Sequence, residues 1–383
     1  MARKYEKYYQ RIKELYRELH KVPELGFDLE KTTSIVKAEL DSYGIKYTEK
    51  YAKGSIVAEI GGGEKVIALR ADMDALPIEE KSGVSFSSMS SGVMHACGHD
   101  SHTAILLGVA KALKDIECKL KIRVRLIFQP SEEGLISGAK TMVENGVMNG
   151  VSEIIATHCD PDIKWGEIGV CSGDCMASCV SLSIKFLGKS AHATMPERGV
   201  DAVKMAVEAY NELNAAVKEE AEGKRYIWTV GSIQGGTSNN IIADSCELKI
   251  TFRFYDSGFA KKVETRVKGI CNDIASKYGG KVEIDWPYGA GAVINDSEIA
   301  SNLKTAIKNA GIIVNEIQPK MTSEDFSEYL TKAKGCLFRY GIYNESERSG
   351  EALHTCNFKI FEPAMLTALT AFVEYIMQIN EKA

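Results

Sequence analysis

From Tyr5 to Leu19 apolar residues return every three or four positions among charged ones, the spacing of a helix with one buried face, and Pro23 ends it. Beyond that helix, short apolar runs alternate in type. SIVAEI (55–60) and KVIALR (65–70) read as strands, AILLGVAKAL (104–113) as a helix, KIRVRLIF (121–128) as a buried strand and GAKTMVENG (138–146) as a helix closed by glycine. Strands separated by helices predict a largely parallel sheet flanked by helices, with ligands gathering beyond the carboxyl ends of the strands.

The middle of the chain changes rhythm. Strand CVSLSIKFLG (179–188), helix VDAVKMAVEAYNEL (200–213), strands RYIWTVGSI (225–233) and CELKITFRF (246–254), helix AKKVETRVKGICNDIA (260–275) and strand KVEIDW (281–286) follow the β-α-β-β-α-β order of ferredoxin-like domains. After Asn295 the first pattern resumes, through helix SNLKTAIKNAG and strand GCLFRYG (335–341) to a long amphipathic helix from Pro363. The expected fold is α/β, a central mostly parallel sheet flanked by helices, with an inserted ferredoxin-like domain. Residues 1–177 and 291–383 are expected to form the larger domain and 178–290 the insert, and 383 residues suit two cores.

A net charge of −5 with acids and bases interspersed argues against nucleic acid or a membrane surface as partner. The start, MARKYEKYYQ, has no apolar run behind it, so neither a secretory signal nor a membrane span is expected, and the cytoplasm is the expected compartment. Ten scattered cysteines then read as free thiols or metal ligands. Cys171, Cys175 and Cys179 step by four, unlike the CxxC pairs of zinc sites, and read as strand and loop residues.

MHACGHDSHTA (94–104) holds three of the chain's seven histidines beside a cysteine and an aspartate. Cys97 and His99, two apart, would diverge on a helix, so a loop is expected to carry them, with the helix starting afterwards and Asp100 or Ser101 capping it. Thiolate and imidazole together suit a transition metal better than calcium or magnesium. In FQPSEEG (128–134), Glu132 and Glu133 at a strand end face different ways, so one can bind metal while the other faces the cavity. Carboxylates so close to a core strand need a compensating cation or proton, although adjacent glutamates alone are usually a solvated turn. His158 in EIIATHCDP and His354 in ALHTCNF are expected to follow strands of the same sheet. Asp72 and Asp74 follow the KVIALR strand and read as groups that orient a ligand or the base, with an acidic turn the alternative for Asp72. Asp100 and His102 stand open between such support and helix capping.

These motifs, with RADMDALPIEE (70–80), GKSAHATMPERGVDA (188–202), GGTSNNIIAD (235–244) and TSEDFSEY (322–329), run in order from LHKVPELGF to the last histidine. Together they resemble the M20 metallopeptidase clan, in its amidohydrolase branch of hippurate hydrolases, N-acetyl-diaminopimelate deacetylases and indole-acetyl-amino-acid hydrolases. The resemblance implies two divalent metal ions per chain (zinc, manganese, cobalt or nickel) held by Cys97, His99, Glu133, His158 and His354, with Cys97 bridging. It makes Glu132 the general base, His192 the group that stabilises the oxyanion, and Asn240 and Arg253 the holders of the substrate carboxylate, Arg253 reading equally as a structural ion pair. It further implies an N-acyl amino acid substrate and a homodimer formed through the insert. Departures at Cys159, Asp160, NNIIAD and TCNFKIFE concern the pocket walls and leave substrate choice open. The alternatives are a dipeptidase-like peptide hydrolase and a non-catalytic metal- or peptide-binding homologue. A thiol amidase with Cys97 as nucleophile and His99 as base would leave the paired glutamates without a task.

Overall fold

The computed structural model of the protein describes residues 3–347 and 349–383. These divide into two compact units. The larger contains the chain up to Cys175 together with Ile294–Gln318 and Asp325–Ala383, and the smaller contains Met176–Val293 and Pro319–Glu324.

The larger unit is built on an eight-stranded sheet in the order Tyr47–Thr48, Ile56–Ile60, Arg123–Gln129, Val66–Asp72, Val151–Lys164, Lys334–Tyr343, Glu167–Val170 and Ile313–Glu316. The four central strands, Arg123–Gln129 to Lys334–Tyr343, run parallel, and antiparallel pairings occur toward the edges. Every residue of Val66–Asp72 is buried, as a strand covered on both faces requires. The helix His99–Lys114 is buried along its whole length except at Lys111 and Lys114, so its apolar character extends all round. Helices Glu6–His20 and Ala364–Lys382 pack against it. Helix Glu30–Ser42 and strand Glu167–Val170 belong to stretches without an assigned element in the sequence pattern.

The smaller unit has a four-stranded antiparallel sheet in the order Lys281–Asp285, Ser178–Leu187, Ser245–Phe254, Tyr226–Gly235, the ferredoxin-like arrangement. Alternate residues of Ser178–Leu187 and Ser245–Phe254 are buried beneath helices Ala202–Glu220 and Ser257–Tyr278.

At Gly108 the helix His99–Lys114 lies close against helices Glu6–His20 and Ala364–Lys382. A Cβ on it would lie 2.5 Å from Ile12 Cδ1 and 2.9 Å from Leu369 Cδ1, so bare backbone fills that contact. Gly108→Val, which forces a branched side chain into this gap, is expected to lower unfolding stability by about 1–3 kcal/mol. Urea unfolding measures it, and an unchanged midpoint would show that the helices separate at no cost.

Candidate metal centre

The parallel strands Val66–Asp72 and Arg123–Gln129 end in register, Asp72 opposite Gln129, so the segments after them leave the sheet at one edge. Asp74 follows the first strand; Ser131, Glu132 and Glu133 follow the second. The Asp74 carboxylate accepts the backbone N–H of Glu132 at Oδ1 and that of Glu133 at Oδ2, each at 3.0 Å. Both glutamates therefore lie in a loop three to four residues past the strand end, and Asp74 sets their turn. Ser131, with φ 52°, occupies the left-handed region, as does His354 with φ 63°, a conformation costing a non-glycine residue about 1–3 kcal/mol. The loop is fastened by Ser131 Oγ donating to the Ile136 carbonyl (2.7 Å) and Ser137 Oγ donating to Asp325 Oδ2 (2.6 Å). Its tip, Leu135 and Ile136, is fully exposed.

The expectation that the next helix begins after His99 is corrected: it begins at His99. Gly98 stands at the N-cap with φ 83°, and a Cβ there would meet Cys159 Sγ at 2.6 Å, so only glycine permits the turn at this place. No side chain caps the helix; Asp100 and Ser101 lie inside its first turn. His158 also differs from expectation, sitting within a strand that runs on to Lys164 rather than after one. His354 lies in the loop after Lys334–Tyr343, its N–H donating to the Ala96 carbonyl (2.8 Å).

From these separate elements the ligand-type atoms converge. Cys97 Sγ is 3.4 Å from His158 Nε2 and 3.4 Å from His354 Nε2, and Glu133 Oε1 is 3.0 Å from His354 Nε2. Ligand atoms of Cys97, His99 and His158 lie within 4.8 Å of one another, and so do those of Cys97, Glu133 and His354. The two triads share the Cys97 sulfur. Glu132 stands beside them, Oε2 3.9 Å from His99 Nε2.

The polar atoms fit metal ions better than one another. Both ring nitrogens of His99 and Oε1 of Glu133 are buried without a hydrogen-bond partner, because Glu133 Oε1 approaches His354 at the right distance but outside hydrogen-bond geometry. Buried ligand-type atoms that hydrogen bonds leave unsatisfied suit a cation site. His158 donates from Nδ1 to the Cys159 carbonyl (2.7 Å), leaving Nε2 as the lone pair on the cluster. Burial, with neighbouring His102 and Arg339 adding to it, holds this imidazole well below its ordinary range and hence neutral, as a ligand must be. Burial acts to lower His99 too, but Asp72, Asp74 and Glu133 outweigh it and hold that ring up at about 10. The Cys97 thiol is pushed up by burial and then by Glu133.

His102 is not available as a ligand, since Nδ1 hydrogen-bonds Asp72 Oδ1 (2.6 Å) and Nε2 accepts the Cys159 N–H (3.0 Å). Asp72 also accepts from Arg70 Nη1 (2.7 Å). Arg70 continues to Gln129 Oε1 (2.8 Å) and Asp325 Oδ1 (3.0 Å). This buried network went unread in the sequence; an arginine in an otherwise apolar strand was its only signal. Asp100 binds His20, Oδ2 to Nδ1 at 2.6 Å, while His20 Nε2 reaches Glu80 Oε1 at 3.1 Å.

His192, Asn240 and Arg253 belong to the smaller unit. The Ala193 N–H donates to the Asn240 carbonyl (2.9 Å), bringing the His192 and Asn240 loops together, and His192 Nδ1 pairs with Thr194 Oγ1 (2.8 Å). Arg253 Nη1 donates to the Met321 carbonyl (3.0 Å).

Thiol, imidazole and carboxylate groups braced at the edge of a parallel α/β sheet define a metal-dependent hydrolase. The family described as Peptidase family M20/M25/M40 matches residues 68–378, and the chain belongs to it as an amidohydrolase. It is 35% identical over 355 residues, 92% of this chain and 84% of the relative, to N-acetyl-L-cysteine deacetylase of Bacillus subtilis (strain 168). It is 33% identical over 355 residues, 90% and 80% of the two chains, to the IAA-amino acid hydrolase ILR1-like 4 of Arabidopsis thaliana. Its fold matches the crystal structure of the Bacillus subtilis YXEP protein, a dinuclear metal binding peptidase of the M20 family, with a TM-score of 0.87 and 31% identity over 99% and 100% of the chains.

The His20 contacts make stability depend on pH. Burial would lower this imidazole, but hydrogen bonds to Asp100 and Glu80 outweigh it and raise it from 6.5 to about 9. A group raised on folding stabilises fully below its unfolded value and loses that contribution as pH rises through its folded one. Unfolding free energy should therefore fall by on the order of 3 kcal/mol between pH 6.5 and pH values above about 9. His20→Ala should reduce the slope by that amount, leaving the part contributed by His99; denaturant titrations at several pH values check this, and equal slopes in both proteins would refute it.

Proposed function

We propose that the chain hydrolyses the amide bond of N-acyl amino acids carrying an acetyl, aryl or similar acyl group. Two divalent ions, zinc, manganese, cobalt or nickel, would be held by Cys97, His99, Glu133, His158 and His354. The observation that carries this reading is the Cys97 sulfur shared by two ligand triads, with Glu132 beside them. The names of the relatives, a deacetylase and an amino acid conjugate hydrolase, support the substrate class.

When bound, the ions supply Lewis acidity that makes water more acidic and draws electron density from the amide carbonyl. Glu132 takes the proton from the attacking water on its carboxylate and delivers it to the leaving amine nitrogen. Asp74 holds the Glu132 backbone so that this carboxylate keeps one position through both transfers. Asp72 fixes the His102 tautomer, which in turn anchors the backbone beside His158. His192 serves the oxyanion, and Asn240 with Arg253 serves the substrate carboxylate.

A homodimer through the smaller unit fits its edge strand Tyr226–Gly235, which has one unpaired side and exposes Ile227 and Ile233, next to exposed Val207 and Tyr210 on Ala202–Glu220. A cytoplasmic setting fits the ten free cysteines. No helix among the described residues is long and apolar enough to cross a membrane.

Glu132→Ala should reduce kcat on N-acetyl, N-benzoyl and indole-acetyl amino acids by about 10³ or more while two metal ions per chain remain bound. Amino-acid release and elemental analysis read the two quantities. Near-normal turnover in the variant would remove Glu132 as base, and a wild-type enzyme insensitive to chelators would favour a thiol mechanism. Replacing Ile227 and Ile233 by Lys should shift the sedimenting species from dimer to monomer; an unchanged mass would place the interface elsewhere.

A further inference from the structure

Away from the metal centre, three helices of the larger unit border a cavity of about 250 Å³. It opens where the first turns of Glu6–His20, the end of Glu30–Ser42 and the last turn of His99–Lys114 meet. His99 starts that third helix and Lys111 lies twelve residues on, so about 18 Å separates them along its axis. Ile12, 1% exposed, and the buried backbone of Gly108 form the floor.

Tyr8 and Tyr43 line this cavity with their hydroxyls already engaged, Tyr8 Oη donating to Asp115 Oδ2 (2.9 Å) and Tyr43 Oη to Glu39. Those bonds fix the rings and leave their aromatic carbon for a ligand. Lys7 Nζ stands 4.7 Å from the Tyr8 ring centre and Lys111 Nζ 5.5 Å from the Tyr43 ring centre, so a molecule that touches either ring meets an ammonium group. Asp115 draws both lysines together, Lys7 at 3.3 Å and Lys111 at 2.6 Å. An ammonium carries three N–H donors, and this carboxylate accounts for one on each. The third cation of the lining, Arg11, gives two hydrogen bonds to Glu39 (3.0 and 2.7 Å), while Glu14 and Glu18 approach it at 3.3 and 3.2 Å without lining the cavity. Two ammonium groups facing one carboxylate leave the mouth positive.

We propose that this cavity binds a small aromatic carboxylate, its ring against Ile12, Gly108 and the two tyrosines and its carboxylate on Lys7 and Lys111. The volume lies below the roughly 300–1,000 Å³ of sites for drug-sized ligands, which limits the occupant to one small ring system. An inorganic anion would leave the aromatic and aliphatic lining unused. An uncharged ring would leave the lysines with Asp115 alone. An aromatic acid uses both features, burying apolar area on the floor and making charge-assisted hydrogen bonds at the mouth. No lining residue is among the five expected metal ligands, so the site stands apart from the reaction proposed above.

The test irradiates the full-length, metal-loaded protein with para-azidobenzoate and maps the adducts by mass spectrometry. Peptides containing Tyr8 and Tyr43 should be labelled saturably and protected by benzoate. The oppositely charged para-azidobenzylamine should not label them. Both lysines are solvent-accessible, 65% and 40% exposed, so Lys7→Gln combined with Lys111→Gln removes the charge and keeps the fold. In that double variant the half-saturating concentration of the acid probe should rise about tenfold or more. Label confined to other peptides would overturn the proposal, as would equal labelling by the amine or an unchanged half-saturating concentration in the double variant.

Discussion

Asp74 spends both carboxylate oxygens on the backbone amides of two successive residues, and the chemistry of the site hangs on that grip. A hydrogen bond to a charged, buried acceptor is worth about 1.5–3 kcal/mol, and water cannot compete where Asp74 is 1% exposed. Because the amides belong to neighbouring residues, one carboxylate sets the turn from which Glu133 faces the Cys97 sulfur and Glu132 faces His99. The strained backbone at Ser131 is tolerated because this grip and the Ile136 bond hold it from both sides.

The same packing settles the charge of the site. Two imidazoles within one cluster are driven in opposite directions: His158, with His102 and Arg339 around it, is held neutral, whereas His99, facing Asp72, Asp74 and Glu133, is held as a cation near neutral pH. The proton on His99 occupies the place that the carboxylates reserve for positive charge. Arg70 and His20 play the corresponding role one layer out, where carboxylates must be balanced permanently and no exchangeable cation is wanted.

Much of this was legible in the sequence because the candidate residues stand beside apolar elements: Glu133 follows a strand, His158 lies in one, and Cys97 and His99 open a helix. Cys97, His99, Glu133, His158 and His354 were expected as ligands from the family resemblance of their motifs, and the structure brings their ligand-type atoms together; the β-α-β-β-α-β order of the insert followed from periodicity. The errors were local. Gly98 starts the helix at His99 because left-handed backbone, not a side-chain cap, makes that turn. The strand bearing His158 extends past it because parallel pairing with Lys334–Tyr343 continues to Gly341. Asp100, open between support and helix capping in the sequence, pairs with His20, 80 residues away, a distance that no local pattern spans. Arg70, Gln129 and Asp325 escaped for the same reason: hydrogen bonds between distant residues leave no periodic trace.

The loop between Glu133 and Ser137 has fixed ends and an unengaged apolar tip at Leu135 and Ile136. Its constraint and its variability are thereby separated within a few residues. Changes at the tip alter only exposed apolar surface while the Asp74 and Asp325 anchors keep Glu132 and Glu133 in place. Such a segment is where a lineage can acquire new preferences by drift, one tolerated substitution at a time, without passing through an inactive ancestor.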